Sequence, residues 1–482
     1  MHRTNNLFHY FRPILSLFFL FTAIINADVK VAGIFKSNMV LQQQTATPVW
    51  GWASPGEIIT VQFAAQTHSD TTDIAGEWRI DLTPLSASNE AQTMTITGNN
   101  RIEIQNILVG EVWLCSGQSN MDMGVGICKD PEKEIAGAVF PEIRFIDITK
   151  TPSPDPIGDI DSESVWNVCT PQSIAAGQWG GFSATAYFFG RKLHQELKVP
   201  IGLIDASWGA TRIEPWTAPA GFASEPDLAE IFQNRHQSQE FGMWGEPVRP
   251  TYLYNSMIHP LIPFAFRGAI WYQGESNVGE GMAYHTKMRA LINGWRDVWQ
   301  REDFPFLFTQ IAPWKGYADG ALPDLWQAQV ATLALPNTGI AGTMDISDLV
   351  DIHPKNKQDV GKRLALWALA NSYGKNLPYC GPLYKEMAIE DGKIRLSFEY
   401  ADSLASRDGN ALTWFTIAEA DHKFIRANAE IDGNQVIVWS DRAPDPVAVR
   451  FGWSRFAEPN LINGAGLPAL PFRTDAERPQ PQ

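Results

Sequence analysis

The sequence predicts an α/β protein with a β-rich region at each end of the chain. Residues 28–108 contain short segments rich in β-branched and aromatic residues, separated by turn signals such as Pro-Gly. Residues 109–375 alternate between apolar strand-like runs and stretches with helical spacing. Residues 376–482 return to a strand-like pattern with Asp-Gly turns. A chain of 482 residues is long enough for these three domains.

The first 27 residues have the layout of a secretory signal peptide. Arg3 and Arg12 supply early positive charge, the apolar stretch 14–25 follows, and Ala27 is a small residue suited to cleavage. A membrane anchor is the alternative, but the apolar run is short for a full span. We therefore expect cleavage near Ala27 and export to the periplasm or the medium, with no stable membrane insertion.

Charge and cysteine content exclude several classes of function. The formal net charge is -15, and removing residues 1–27 with their two arginines brings it to -17. So acidic a protein is a poor candidate for binding nucleic acid or anionic membranes. Four cysteines do not make a disulfide scaffold in a chain of this length, and their pairing and the oligomeric state stay open. We expect Cys115 to be a small buried hydrophobic residue, and no spacing indicates a metal or cofactor site.

The two terminal regions and the central region are expected to fold differently. Residues 28–108 predict a small β-sandwich, and residues 376–482 a second β-rich module. In residues 109–375, alternating β and α units predict a mostly parallel sheet with helices on both faces. Ligands of such sheets bind at the carboxyl ends of the strands. The predicted strands are VWLCSG, IRFIDI, IGLIDAS, GAIWYQG, FPFLFTQIA and GIAGTMDI.

Ser119 follows the first of these strands, in the turn GQSNM. A sharp turn after a strand exposes a hydroxyl and points backbone N–H groups at a developing oxyanion. A serine in this position also commonly caps a helix. This segment by itself leaves a nucleophile and a capping residue equally open.

Two further strand ends carry groups suited to stabilising an oxyanion. Gly209 follows IGLIDAS, and a glycine lets the backbone approach a ligand closely. Gln273 and Asn277 follow the strand of AIWYQGESN, and neutral amides donate to an oxyanion without competing as acids. Glu275 in the same segment can orient another polar group. Ordinary loop residues are the alternative at each position.

His353 lies in the loop after the last predicted strand, directly before Pro354. Histidine is the common side chain that titrates near neutral pH, so it suits the general base of a serine nucleophile. Asp345, Asp348 and Asp351 lie upstream, and one of them can accept the second imidazole N–H. The chain has no Gly-x-Ser-x-Gly motif, which argues against an ordinary α/β-hydrolase.

Several blocks in order resemble the sialate O-acetylesterase family of the SGNH hydrolases. The blocks are GQSNM, SWGATRIEPW, WYQGESN and DIHPKNK, with VLQQ, WGWASPGE, FSATAYFFGRKLH and GLPALPFRTD around them. The resemblance covers most of the chain. It implies a flavodoxin-like three-layer catalytic domain with β-sandwich-like regions at both ends, and cofactor-free hydrolysis of acetyl esters on sugars.

The resemblance also implies roles for individual residues. Ser119 matches the family nucleophile, His353 its base and Gly209 its oxyanion glycine, whereas Gln273 is the first and Asn277 the second choice for the side-chain donor. Ala210 departs from the usual SWGGT. The wider superfamily places an aspartate three residues before the histidine, where this chain has Val350. Asp351, Asp348 or a backbone carbonyl therefore stay open as the support of His353.

Substrate contacts are expected from the same loops. Trp208 can stack on a sugar ring, and Glu275 is a second polar contact. Arg212 can pair with a sialate carboxylate, with a structural ion pair to Glu214 as its alternative. The expected substrate is an O-acetylated sialic acid. The alternatives are deacetylation of xylan or another polysaccharide on the same scaffold, and a protein that binds carbohydrate without catalysis.

Overall fold

The computed structural model describes Met1 and residues 28–237 and 239–475 of the protein. The predicted signal peptide therefore lies, apart from Met1, outside the described residues. Mixed α/β content with large sheets is confirmed. Among the described residues, no helix has the length and apolarity needed to cross a membrane.

The N-terminal region is built from strands. The strands are β1 Lys30–Val31, β2 Val40–Gln42, β3 Thr47–Trp52, β4 Ile58–Phe63, β5 Gln66–Thr71, β6 Glu77–Leu82, β7 Ser88–Thr97 and β8 Arg101–Gly117. One sheet has the order β1-β3-β6. In the other, β4 pairs with β5 and β7, while β8 pairs with β7 and, in parallel, with β2.

Strand β8 runs through the boundary that the sequence predicts at residues 108 and 109. It has 17 residues, and its burial rises along its length until Ile107–Gly117 are all buried. Its first half pairs with β7 and β2, and its second half lies in the central sheet. One strand therefore belongs to both regions.

The central region contains the six strands that the sequence predicts, together with helices, as its helical spacing predicts. The elements are α1 Ser119–Asp122, α2 Pro131–Ala136, β9 Phe140–Asp147, β10 Asn167–Cys169, α3 Pro171–Ala175, α4 Ala184–Leu197, β11 Ile201–Ser207, α5 Pro219–Ser224, α6 Ala229–Gln233, β12 Gly268–Tyr272, α7 Ala283–Val298, β13 Phe306–Thr309, α8 Ala321–Ala331, β14 Thr338–Ala341 and α9 Lys357–Asn371. The sheet of this region has the order β10-β9-β11-β8-β12-β13-β14, and its strands are parallel except for β10.

Helices cover both faces of this sheet. Side chains alternate between the two faces of a strand, so Trp113 of β8 and Trp271 of β12 lie on opposite faces. Trp113 contacts Phe189 of α4, with ring centroids 5.0 Å apart, and α4 packs along α9. Trp271 contacts Trp295 of α7 at 6.1 Å. Both faces are therefore apolar, which explains why the central strands read as continuous hydrophobic runs.

The C-terminal region has its own apolar core, including Ile394, Val438 and Phe451. Its strands are β15 Leu383–Glu390, β16 Lys393–Glu399, β17 Ala405–Ser406, β18 Phe415–Ala418, β19 Ile425–Arg426, β20 Asn428–Asp432, β21 Gln435–Trp439, β22 Ala448–Phe451, β23 Leu461–Ile462 and β24 Phe472–Arg473. They form two four-stranded sheets, ordered β15-β16-β21-β20 and β19-β18-β22-β24, and the pair β17-β23.

The register of three central strands brings their carboxyl ends together. Gly117 at the end of β8 is paired with Ser207 of β11 on one side and with Tyr272 of β12 on the other. The segments that follow these strands therefore meet at one edge of the sheet.

Candidate active site

A turn at the end of β8 presents Ser119. Gly117 has a φ of 143°, and a Cβ atom there would lie 2.2 Å from the carbonyl oxygen of Tyr272. Only glycine fits so close to the neighbouring strand in this conformation. Ser119 is then the first residue of the short helix α1, whose cap residue Gln118 makes no side-chain capping bond.

The structure brings His353 to Ser119 from the loop between β14 and α9. His353 Nε2 lies 2.9 Å from Ser119 Oγ, which is hydrogen-bond distance. The imidazole is partly buried and meets the edge of Trp179, with ring centroids 5.1 Å apart. Burial lowers the pKa of His353 below its ordinary value of 6.5, Lys357 lowers it further, and Asp351 raises it. A neutral imidazole next to the hydroxyl can accept its proton.

The three upstream aspartates have different surroundings. Asp351 Oδ1 lies 3.5 Å from His353 Nδ1 and accepts the backbone N–H of His353 at 2.9 Å. Asp348 Oδ1 accepts the backbone N–H groups of Val350 and Asp351, so it shapes the loop. Asp345 forms an ion pair with Arg363 at 2.6 Å. Among these three side chains, the one adjacent to the imidazole is that of Asp351.

Gly209 lies beside Ser119 in the turn after β11. A Cβ atom on Gly209 would be 3.5 Å from Ser119 Cβ. The Gly209 backbone N–H donates to Asp122 Oδ2 at 3.3 Å, and Lys150 donates to both oxygens of that carboxylate at 2.6 and 2.7 Å. Ala210 has a φ of 63°, in the left-handed region that favours glycine.

The amides of Gln273 and Asn277 belong to a buried polar network. Gln273 Nε2 donates to Gln118 Oε1 at 3.0 Å, Thr211 O at 3.2 Å and Asn277 Oδ1 at 2.7 Å. Asn277 Nδ2 donates to Glu214 and Glu280 at 3.2 Å each. Both side chains are fully buried. Gln273 therefore holds Gln118, the residue before the nucleophile, and its role as a direct oxyanion donor stays a prediction.

The three predicted substrate contacts lie in different environments. Arg212 donates to Glu214 and Glu280, so the structural ion pair is present, although its side chain is 40% exposed. Trp208 is half-buried and packs against the core. Glu275 is buried, and its Oε1 accepts from Asn120 Nδ2 at 2.5 Å. The structure therefore does not bring the three side chains together on one exposed surface.

A cavity of about 600 Å³ opens beside His353. It contains two exposed lysines, Lys129 and Lys355, and the exposed ring of Trp179. Nothing in the sequence singled out Lys129 or Trp179, because both lie in loops away from the strand ends, whereas Lys355 is two residues after His353 in the loop that follows β14. The remaining lining residues are Met123, Gly126, Ile127, Cys128, Asp130, Pro131, Asp351 and His353.

The cysteines have no visible part in the chemistry. All four are free and buried, and burial raises the pKa of Cys115 far above the range in which a thiol ionises. The prediction that Cys115 is a buried apolar residue is confirmed. Within residues 28–237 and 239–475, no group of three or more His, Cys, Asp or Glu side chains is arranged to hold a metal ion.

Comparisons with known proteins agree on one family. Residues 109–370 match the family model described as carbohydrate esterase, sialic acid-specific acetylesterase. The chain is 29% identical to the sialate O-acetylesterase of Pongo abelii and 28% identical to that of Homo sapiens, over 92% of each chain. It is also similar to the crystal structure of a carbohydrate acetylesterase from Xanthomonas citri. That match has 36% identity and a TM-score of 0.85, and it covers 93% of this chain and 100% of the other.

The family model covers more than half of the chain, and it covers the turn of Ser119, the loop of Gly209, the buried amides and His353. The family describes hydrolases that act on carboxylic esters of carbohydrates. The chain therefore belongs to the carbohydrate esterase family of sialic acid-specific acetylesterases.

Proposed function

We propose that the protein removes O-acetyl groups from sialic acids through an acyl-enzyme formed on Ser119. The observation that carries the mechanism is the 2.9 Å distance between Ser119 Oγ and His353 Nε2. The names of the relatives, at 28–29% identity over 92% of the chain, support the substrate. The flavodoxin-like SGNH arrangement with flanking β-sandwich regions is part of the same proposal, and the helix-covered parallel sheet supports it.

The reaction follows double displacement. His353 accepts the Ser119 proton as Oγ attacks the acetyl carbonyl carbon, and a tetrahedral oxyanion forms. His353 then gives this proton to the departing sugar oxygen, and the C–O bond to the sugar breaks. In the second half His353 takes a proton from water, which attacks the acetyl-serine. Acetate leaves, and Ser119 recovers its proton.

The oxyanion is assigned to the backbone N–H groups of Ser119 and Gly209. The proximity of Gly209 to Ser119 supports this assignment. The carboxylate that now accepts the Gly209 N–H belongs to Asp122, and Lys150 offsets its charge. Gln273 and Asn277 retain their proposed roles as side-chain donors, the first before the second. Gln273→Ala tests this role, because losing one oxyanion donor costs about 10²–10³ in kcat.

The acidic substrate is proposed to bind in the cavity beside His353. Lys129 and Lys355 can pair with the sialate carboxylate, and the Trp179 ring can pack on the sugar. Arg212 is less suited to bind that carboxylate, because Glu214 and Glu280 already accept hydrogen bonds from its guanidinium group. Asp130 and Asp351 also line the cavity and offset the lysine charges. This balance of lysine and aspartate charges also suits an uncharged sugar. Acetylated neutral polysaccharides such as xylan are therefore the second candidate substrate.

The deciding experiment measures acetate released by the purified protein from O-acetylated sialic acids and from acetylated xylan. The Ser119→Ala variant tests the nucleophile, and Lys129→Met with Lys355→Met tests recognition of the acid. We expect the double lysine variant to raise KM for the sialate and to leave KM for xylan unchanged. Lys362→Met, an exposed lysine on α9, is the matched control. Full activity of Ser119→Ala would refute the mechanism, and cleavage of xylan alone would refute the substrate.

Export is proposed on the N-terminal sequence pattern. A positively charged start, the apolar stretch 14–25 and Ala27 support it. Cell fractionation followed by N-terminal sequencing tests it, and we expect the mature chain to begin near Asp28. Recovery of the full-length chain in the cytoplasm would contradict the proposal.

A further inference from the structure

We propose that Lys357, Asn120 and Glu275 form a positioning network that holds Ser119 and His353 in register. The proposal rests on the proposed function of Ser119 and His353 as nucleophile and base. Asn120 directly follows Ser119, and its Nδ2 donates to the carbonyl oxygen of Ile352 at 3.0 Å. Ile352 directly precedes His353. One side chain therefore connects the residue after the nucleophile to the residue before the base.

The two charged partners fix the orientation of the Asn120 amide. Lys357 Nζ donates to Asn120 Oδ1 at 2.5 Å, and Asn120 Nδ2 donates to Glu275 Oε1 at 2.5 Å. While Lys357 is protonated and Glu275 is ionised, the ammonium group has no acceptor and the carboxylate has no donor. A flipped amide would lose both bonds, so only one orientation also leaves an N–H for Ile352.

The network is costly as a purely structural feature. Lys357 and Asn120 are fully buried, and Glu275 is buried as well. Lys357 is also the first residue of α9, where the helix dipole disfavours a positive charge. Burial lowers the pKa of Lys357 to about 7 and raises the pKa of Glu275. Buried charged groups rarely contribute more stability than apolar residues of similar volume, which favours a functional reason for these two, each bonded to Asn120.

The segments that carry the catalytic pair need such a connection. Helix α1 has only four residues, and the loop that carries His353 has no regular secondary structure between β14 and α9. Lys129 N donates to Lys355 O in this loop, but that bond lies beyond His353. Besides the bond between Ser119 and His353, the bond of Asn120 to Ile352 connects the nucleophile helix to this loop, so its loss would change the distance between Ser119 Oγ and His353 Nε2.

The network also affects the proton affinity of His353. Ser119, Trp179 and Asp351 lie next to the imidazole, Lys129, Lys355 and Asp130 line the same cavity, and Lys357 acts on the imidazole through its charge. The positive charge of Lys357 lowers the pKa of His353, and Asp351 opposes it. Removing that charge should raise the pKa of His353 and shift the acidic limb of kcat/KM to higher pH. A merely structural lysine would not produce that shift.

The test compares Asn120→Ala, Lys357→Met, Glu275→Gln and the double variant Lys357→Met with Glu275→Gln. We measure kcat, KM and the pH profile of kcat/KM on the acetylated sugar and on 4-nitrophenyl acetate, and folding by circular dichroism. A misplacement near 1 Å costs about 10²-fold, so we expect kcat to fall by about that factor with KM nearly unchanged. Lys357→Met should also shift the acidic limb upwards, while Lys362→Met should resemble the wild type.

The double variant keeps the proposal falsifiable if Lys357→Met does not fold, because it leaves no buried charge alone. Both residues position Asn120, so at a pH where His353 is neutral the kcat of the double variant should equal that of the less active single variant. Wild-type kcat in a folded Asn120→Ala, or additive losses in the double variant, would overturn the network. Ser119→Ala separates the two proposals: if it retains activity, the proposed function fails, and if it is inactive while the network variants are normal, only the network fails.

Discussion

Asp351 Oδ1 accepts the backbone N–H of His353 at 2.9 Å and lies 3.5 Å from Nδ1 of the same residue. The carboxylate thus contacts the backbone more closely than the imidazole, and its side chain is 45% exposed. Water therefore weakens its effect on the ring. Asp351 therefore supports the imidazole less strongly than a buried triad aspartate would, but more strongly than a Ser–His dyad without a carboxylate allows.

Asp351→Asn tests how far the carboxylate supports the base. The amide oxygen can still accept the His353 backbone N–H, so the loop should keep its shape. We expect kcat to fall by about tenfold, well below the ~10⁴ loss seen when a buried triad aspartate becomes asparagine. Steady-state kinetics provide the measurement, with Asp348→Asn as the control for loop shape. A loss near 10⁴ would establish Asp351 as a full triad member.

The pH dependence of kcat/KM should follow the protonation of His353. The base acts only when neutral, and burial lowers its pKa, so activity should rise with pH through a midpoint below 6.5. Asp351 raises this pKa, so Asp351→Asn should move the midpoint to still lower pH. Profiles recorded between about pH 4 and pH 8 test both statements. A midpoint above 6.5 would contradict the role of burial.

Gly209→Ala should impair catalysis without unfolding the protein. The new methyl group would lie 3.5 Å from Ser119 Cβ and 3.8 Å from Asp122 Oδ2, which are ordinary contacts. It would nevertheless enter the proposed oxyanion site beside Ser119. We expect kcat to fall by about 10²-fold, with an unchanged melting temperature. A variant that keeps wild-type kcat would remove Gly209 from the oxyanion site.

Ala210→Gly should stabilise the protein. Ala210 has a φ of 63°, which costs an L-residue about 1–2 kcal/mol, and the greater freedom of glycine in the unfolded chain offsets only part of the gain from removing this cost. The expected gain in the free energy of unfolding is therefore about 1 kcal/mol. Ala220→Gly, on helix α5, is the matched control and should destabilise. Urea unfolding of both variants measures the difference, and a loss of stability in Ala210→Gly would contradict the strain.

Glu111→Gln should destabilise the junction of the N-terminal and central regions. Glu111 is 1% exposed, and it accepts a bidentate pair of bonds from Arg267 at 2.8 and 2.9 Å and a bond from Tyr373 at 2.9 Å. Gln42 and Gln43 donate to it from the N-terminal side. Removing one partner of a buried pair costs about 3–5 kcal/mol. Thermal unfolding should show the loss, whereas Glu103→Gln, in an exposed pair, should change little.

The sequence pattern predicted those parts of the site that directly follow strand ends. Parallel strands end at one edge, so the residues after β8, β11 and β12 had to meet, and Ser119 and Gly209 do. Trp179 lies in the loop between α3 and α4, and no local periodicity indicates where such a loop passes. No role for Lys357 was predicted from the sequence, because its contacts depend on Asn120 and, through Asn120, on Glu275, which come from two other segments.

Strand β8 determines where a shortened protein that keeps the candidate active site can begin. The same 17 residues pair with β7 and β2 at one end and deliver Ser119 at the other. A gene cut at residue 108 would keep the pairing of residues 111–117 with β11 and β12, but it would delete the β2 partner of Val109 and Gly110. It would also remove Gln42 and Gln43, which donate to the buried Glu111. A portable esterase module should therefore begin at residue 28 and carry the whole N-terminal region with it.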